Sequence, residues 1–508
     1  MWSRSIKSSV LTVAHERMSA STARLLTSSN LQDVQFASQV KKWQQQKPED
    51  KDKYLSVQVD RSTLKNTGDT LISKLPINLP KEKSKENSLV HLLRSMIAVK
   101  GPLTVAEFMT RALSHPDHGY YMKKDVFGIH GDFTTAPEIS QMFGELVAVW
   151  CVATWEMMGM PSHIKIVEMG PGRGSLMNDF LRAAKSFPPF YSAIEIHLVD
   201  NSPAMQKLQQ GTLGCEPINH TTKPENAMRL PKDGPMIRWH TDLANVPHGL
   251  SLIVAQELFD ALPVHQFEYT DRGWCERLVD VDFEDGGDHF RFVLSRGPTP
   301  AARVYIGREK LFDPSTALSP MDRMHIVLDK FKMPGQPLNV LNEGSTPVRT
   351  SEAEIGDKIE ISPVSIALVQ DMAKRISEYG GGALIVDYGY DHPSGLSLRG
   401  IKNHEFVSPL REPGDVDLSV NVDFATMRRF ATAEPNVQAS GPIGQGTFLR
   451  NMGIEQRLAI LLQNAKTEKV QEDLISSYKR LVEIEQMGTT FKALALTNTS
   501  IGKPVGFD

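Results

Sequence analysis

Three groups of residues in this chain have the types and spacing to do chemistry. The first is Glu168-Met169-Gly170-Pro171-Gly172-Arg173-Gly174, which closes the apolar run Ile164-Lys165-Ile166-Val167. Alternating glycines let a chain leave a strand sharply, take up positive φ, and approach a ligand where any Cβ would collide. Leu176, Phe180, Leu181 and Ala184 follow at helical spacing, so the glycines are predicted to join a strand to a helix N-terminus. The spacing is Gly-x-Gly-x-Gly after a glutamate, not the Gly-x-Gly-x-x-Gly of dinucleotide sites. It suits S-adenosylmethionine, which has no pyrophosphate to seat. The amino-acid end of that cofactor needs close backbone contact, and a nearby carboxylate favours its sulfonium. Counted alone, the glycines also fit a tight structural turn.

The second group is a pair of strand-terminal acids. Ile194-Glu195-Ile196-His197-Leu198-Val199 alternates and ends in Asp200, placed to hold ribose hydroxyls. Ile237-Arg238-Trp239-His240 reads as a short strand, and Asp242 with Leu243 stands where an adenine edge would be met, although Asp242 by itself reads as a turn residue. The third group follows the apolar run at residues 250–255: Glu257 and Asp260, within Gln256-Glu257-Leu258-Phe259-Asp260-Ala261-Leu262-Pro263, and His265 two residues beyond it. Ligands of open α/β sheets meet the carboxyl ends of strands, so these groups should face the reacting end of the cofactor. Asp260 serves equally as a turn cap, and a lone histidine such as His265 is more often structural.

The elements that must position these groups form an α/β pattern. Leu89, Leu92, Leu93, Met96 and Ile97 keep helical spacing, and Thr104-x-x-Glu107 forms a capping box. Thr135-x-x-Glu138, with Pro137, predicts the start of one long helix through Phe143, Leu146, Val147 and Trp150 that ends by Gly159. The loop leading into it, Gly131-Asp132-Phe133-Thr134, has the groups to close over a ligand, or is a plain helix entry. Residues 265–295 alternate as an inserted antiparallel ribbon, and residues 297–357 are an excursion without clear pattern. The sheet resumes at residues 383–390 after Gly380-Gly381-Gly382; residues 437–440 and 491–496 are expected as its two edges, with helices between 454 and 486.

Composition narrows the class. A chain of 508 residues, 40% hydrophobic and 23% charged, can bury a large core and exceeds one ordinary domain. A net charge of −4 leaves no footprint for nucleic acid, and no run approaches the ~20 apolar residues of a membrane span. Cys151, Cys215 and Cys275 are widely spaced, and the histidines do not cluster, so neither a disulfide framework nor a metal site is indicated. Residues 1–30 carry Arg4, Lys7, Arg17 and Arg24 against Glu16 alone, with many serines, which favours a mitochondrial transit peptide. The domain reading is a transit peptide (1–30), a disordered linker (31–87), an N-terminal helical layer (88–160), and a main domain (161–500) with an insertion around 265–357. A tail (501–508) ends the chain.

Four motifs in order carry a family resemblance: Gly131-Asp132-Phe133-Thr134-Thr135-Ala136-Pro137-Glu138-Ile139-Ser140, Glu168-Met169-Gly170-Pro171-Gly172-Arg173-Gly174, Glu257-Leu258-Phe259-Asp260-Ala261-Leu262-Pro263-Val264-His265-Gln266-Phe267, and Gly441-Pro442-Ile443-Gly444-Gln445-Gly446. Over roughly residues 88–500 the chain resembles the MidA family, which includes a mitochondrial protein-arginine methyltransferase of respiratory complex I assembly. The resemblance implies a class I S-adenosylmethionine-dependent methyltransferase fold. Such a fold is Rossmann-like with a mostly parallel seven-stranded sheet, here with an added N-terminal helical part and the β-ribbon. It also implies a matrix protein that forms symmetric ω-dimethylarginine on a core subunit of the matrix arm of complex I, and leaves room for a homodimer.

On that reading Glu168, Gly170, Gly172 and Gly174 hold the methionine part, Asp200 the ribose, and Asp242 with Leu243 the adenine edge. Glu257 and Asp260 orient the guanidinium, whose forked donors carboxylates accept, and His265 takes the released proton. The chain departs from the family at Gln256, where Asn or His is more usual, and in a longer segment around residues 300–355. Two other classes share the same sheet. One is a dinucleotide-dependent oxidoreductase, opposed by the glycine spacing; the other is an assembly factor that binds the cofactor without catalysis.

Overall fold

The computed structural model describes residues 86–123, 135–217, 227–231, 234–283, 288–306 and 353–508. The expected transit peptide, nearly all of the linker, the loop at 131–134 and most of the 297–357 excursion lie outside the described residues. Among the described residues, no helix is long and apolar enough to cross a membrane.

The apolar runs become a central sheet. Its strands are β1 (Ile164–Met169), β2 (Ile194–Val199), β3 (Met236–His240), β4 (Ser251–Gln256), β5 (Gly381–Tyr390), β6 (Val437–Gly444) and β7 (Phe491–Asn498). The order is β6-β7-β5-β4-β1-β2-β3. β1 to β5 are mutually parallel, and β7 runs antiparallel to both its neighbours. This is the mostly parallel, seven-stranded Rossmann-like sheet expected. Three short strands extend it: Glu216–Pro217 and Ala227–Arg229 beyond β3, and Val422–Asp423 beside the end of β5. Strand order reverses between β1 and β4, so the crevice at their carboxyl ends is where a ligand belongs. The glycine run before β5 has a steric reason: a Cβ on Gly381, at φ +98°, would lie 1.9 Å from the Ser251 carbonyl oxygen of β4.

One strand assignment needs correction. Residues 491–496 are not an edge; β7 is bonded on both sides, and only β6 is terminal there. Phe491, Ala493, Leu494, Ala495 and Leu496 are buried on both faces, whereas β6 carries Pro442, which cannot donate to a ladder and so suits an edge.

Helices Gln141–Met157, Ser175–Ala184 and Ile454–Asn464 cover one face of the sheet, and Pro363–Tyr379 with Phe424–Ala431 cover the other. The segment read as one helical layer, 88–160, is divided between two cores. Gln141–Met157 belongs to the main sheet, while Ser88–Lys100 and Val105–Ser114 pack with the inserted ribbon and residues 398–420. The ribbon itself is the antiparallel set His265–Thr270, Gly273–Val281 and Phe290–Leu294, joined by Lys358–Ile361 and by Leu103–Thr104 from the N-terminal part.

Thr104 and Glu107 form the expected capping box. Thr135 does not. Its side chain makes no cap bond, the helix after it is the single turn Ala136–Ile139, and Ser140 (φ −158°, ψ 135°) breaks the path before capping Gln141–Met157. The groups the box would use go elsewhere: the Glu138 N–H donates to the Thr135 carbonyl at 2.9 Å and the Glu138 side chain lies 3.8 Å from Arg173, while the free first-turn Ala136 N–H donates to Glu257 at 3.0 Å.

Candidate functional site

β1 delivers Glu168 to the crevice, and the chain then turns through Gly170, Gly172 and Gly174, whose φ values are 64°, 51° and 83°. All three lie in the left-handed region, where glycine meets no Cβ clash. Glu168 is 3% exposed, and among the described residues its Oε2 has no hydrogen-bond partner. Burial and the neighbouring Asp200 charge push its carboxyl up to about 8. A buried acceptor without a donor costs free energy unless a ligand supplies one, and a cationic group would do so. The residues therefore fit the charged amino-acid and sulfonium end of S-adenosylmethionine.

Asp200 follows β2 in the adjacent position. Its Oδ1 accepts from the Ser202 N–H and its Oδ2 from Gln209 Nε2, each at 2.8 Å. Burial raises its carboxyl, and those two bonds oppose the rise. Asp242 follows β3, but its side chain accepts from the Ala244 N–H at 2.8 Å and caps the 3-10 turn Leu243–Asn245. Leu243 and Val246 are both buried, and the carbonyls of both accept from Arg375. The turn-residue reading of Asp242 thus describes what that side chain does here.

Glu257 and Asp260 stand at the end of β4. The Leu258, Phe259 and Asp260 N–H groups all converge on Asp387 Oδ2 of β5, at 3.1, 2.8 and 3.4 Å. Asp387 is fully buried, and burial together with the Asp260 and Glu257 charges raises its carboxyl well above the usual range. Glu257 adopts φ 48°, rare for a residue with a Cβ, and Gln256 hydrogen-bonds its carboxylate. Asp260 accepts from Ser419 Oγ at 2.9 Å and, through its carbonyl, from the Val420 N–H. The two turns meet: a Cβ on Gly170 would stand 2.9 Å from Leu258 Cδ1.

His265 opens the ribbon rather than the β4 turn. Its Nδ1 lies 2.6 Å from Glu276 Oε1, and its ring packs against Phe267 and Tyr305. Four neighbours of the site were not singled out from the sequence. Asp387 ends an apolar run, as Glu168 and Asp200 do, so the same signal could have found it. Gln209, Ser419 and Tyr121 carry no such mark. Tyr121 hydrogen-bonds Asp417 at 2.8 Å, and its carbonyl accepts from Ser202, so the N-terminal part reaches the loop after Asp200.

Residues 146–443 match the Methyltransf_28 family, described as S-adenosyl-L-methionine-dependent methyltransferases. Over 425 residues the chain is 39% identical to the Drosophila melanogaster "Protein arginine methyltransferase NDUFAF7 homolog, mitochondrial", spanning 82% of this chain and 86% of that one. Identity to the similarly named Homo sapiens protein is 34% over 424 residues, 82% of this chain and 85% of that one. A crystal structure from Burkholderia thailandensis, of a protein bound to S-adenosyl-homocysteine, shares the fold. Its TM-score is 0.60 at 23% identity, and the match covers 82% of this chain and 93% of that one. The chain belongs to this family of S-adenosyl-L-methionine-dependent methyltransferases, the MidA family that its motifs resemble, and S-adenosyl-L-methionine is its cofactor.

Proposed function

We propose that the protein is a protein-arginine N-methyltransferase of the mitochondrial matrix. Its product is symmetric ω-dimethylarginine on a core matrix-arm subunit of respiratory complex I, a modification needed for assembly of that complex. The names of the relatives support the arginine acceptor and the mitochondrial setting. The observation that carries the reading is the pair Glu257 and Asp260, set on one short turn by three N–H bonds to Asp387 and touching the glycine turn through Leu258.

When bound, the cofactor supplies a methyl group on a sulfonium, which passes to an ω-nitrogen as that nitrogen gives up one proton. The work of the chain is orientation. Glu168 and the glycine turn hold the methionine part, Asp200 the ribose, and Asp242 with Leu243 the adenine edge. Glu257 and Asp260 accept the forked N–H donors of the guanidinium and leave one nitrogen facing the methyl group. Because Asp387 fixes their backbone beforehand, little orientational entropy is lost on reaction. His265 takes the proton. Its Nδ1 bond to Glu276 places the lone pair on Nε2 in the neutral ring.

The test is to incubate the protein with labelled S-adenosylmethionine and an extract of mitochondria lacking this activity, then locate the label by peptide mass and hydrolyse the product. Symmetric dimethylarginine on one complex I subunit, absent with Gly172→Val, is the expected result. Cofactor binding with no label on any protein would replace this reading with that of an assembly chaperone.

A further inference from the structure

We propose that Gln209 is a positioning residue for the cofactor: it ties the glycine turn after β1 to the acid after β2, so that the ribose meets a carboxylate already set in one orientation. The proposal rests on the assignment of Asp200 to the ribose. Gln209 lies in the helix Pro203–Leu213 and is fully buried, unusual for a glutamine on a helix that flanks a sheet. Its amide is used completely. Nε2 donates to the Gly172 carbonyl at 2.8 Å and to Asp200 Oδ2 at 2.8 Å, while Oε1 accepts from Trp239 Nε1 at 2.9 Å.

An indole nitrogen can only donate, so Trp239 fixes which end of the amide is oxygen and aims both N–H groups at the ligand-facing turns. One side chain thereby joins the segments that follow β1 and β2 to a residue of β3. Its neighbours reinforce the setting: Gln206, one turn earlier in the helix, donates to the Asp200 carbonyl at 2.7 Å, and the Ser202 N–H holds the other carboxylate oxygen. There is little slack, because a Cβ on Gly174 would already touch Gln209 at 3.5 Å. An Asp200 carboxylate without Gln209 would rotate and would face the ribose with one oxygen less constrained. The consequence is specific to the ribose hydroxyls, whereas mere support of the turn would affect every part of the cofactor alike.

The experiment is titration calorimetry of the full protein with S-adenosylhomocysteine and with its 2′,3′-dideoxy analogue. Hydrogen bonds to a charged acceptor predict that the wild type loses about tenfold or more in affinity when the hydroxyls are removed. Gln209→Leu should reduce that ratio to below about threefold while still melting cooperatively. Gln209→Met, which keeps the length of the side chain and has no donor, should do the same and serves if the leucine variant fails to fold. Variants that bind both ligands more weakly but keep the wild-type ratio would overturn the proposal. A wild type that binds the two ligands equally would instead remove the ribose assignment of Asp200, and the proposal with it.

Discussion

Glu168 sits in a place that costs the fold stability. Its carboxyl has an ordinary value of 4.5 and is pushed up to about 8 by burial and by Asp200. The folded protein therefore keeps a proton that the unfolded chain has already released. The stability tied to that proton is complete below about pH 4.5 and is lost as pH rises through about 8. Glu168→Gln should accordingly be more stable than the wild type by an amount that grows from pH 5 to pH 8, reaching on the order of 3 kcal/mol. Urea unfolding at several pH values checks this, and a pH-independent difference would refute it. The same variant should lose cofactor affinity, since a cationic ligand favours the ionised carboxylate. Glu257→Gln has a different signature. It should bind cofactor normally and lose methyl transfer by about a hundredfold or more, because one oriented acceptor is gone; unchanged turnover would take Glu257 out of the mechanism.

At the scale of elements, one buried acid joins three helices. Glu145, in Gln141–Met157, accepts from Arg182 of Ser175–Ala184 at 3.0 and 3.1 Å and from Arg457 of Ile454–Asn464 at 2.6 and 3.0 Å. Removing Glu145 takes the shared acceptor from both arginines, but Arg182 keeps Asp179 at 2.7 Å and both guanidiniums reach solvent, so Glu145→Ala should cost about 1–2 kcal/mol in chemical denaturation. A loss below about 0.5 kcal/mol would class the network with ordinary surface pairs. Local sequence reading worked at Thr104 because its partner, Glu107, lies in the same helix. It failed at Thr135 because the other half of the box, Glu138, has its side chain beside Arg173 of the glycine turn, and the extended Ser140 ends the helix after one turn.

At the scale of the molecule, the N-terminal helices and the inserted ribbon share one core, although more than 140 residues of chain separate them. Phe108 is fully buried and meets Phe290 edge-on at 5.9 Å. Phe108→Ala should cost about 3–5 kcal/mol. Hydrogen exchange should show the loss of protection in Val105–Ser114 and Phe290–Leu294 together, with β1 and β4 retained; loss confined to the N-terminal helices would mean that the two do not form one unit. Through Tyr121 this second core also reaches Ser202 and Asp417, so its loosening should weaken cofactor binding as well.

The seven sheet strands, the glycine turn and the acids Glu168, Asp200, Glu257 and Asp260 were legible in the sequence, because each depends on a local signal: an apolar run, its terminal carboxylate, and glycines where φ must be positive. The strand order beyond β5 was not, since position in a sheet is set by which faces other segments bury. Nor were the residues that orient the acids. Gln209 reaches Gly172, Asp387 reaches the turn after β4, and Ser419 reaches Asp260 only after distant strands have been laid side by side. Composition and spacing determined which chemical groups the chain carries and at which strand ends. Tertiary structure decided how those groups are aimed, because a hydrogen bond depends on distance and angle in space and leaves no mark on the spacing of residues along the chain.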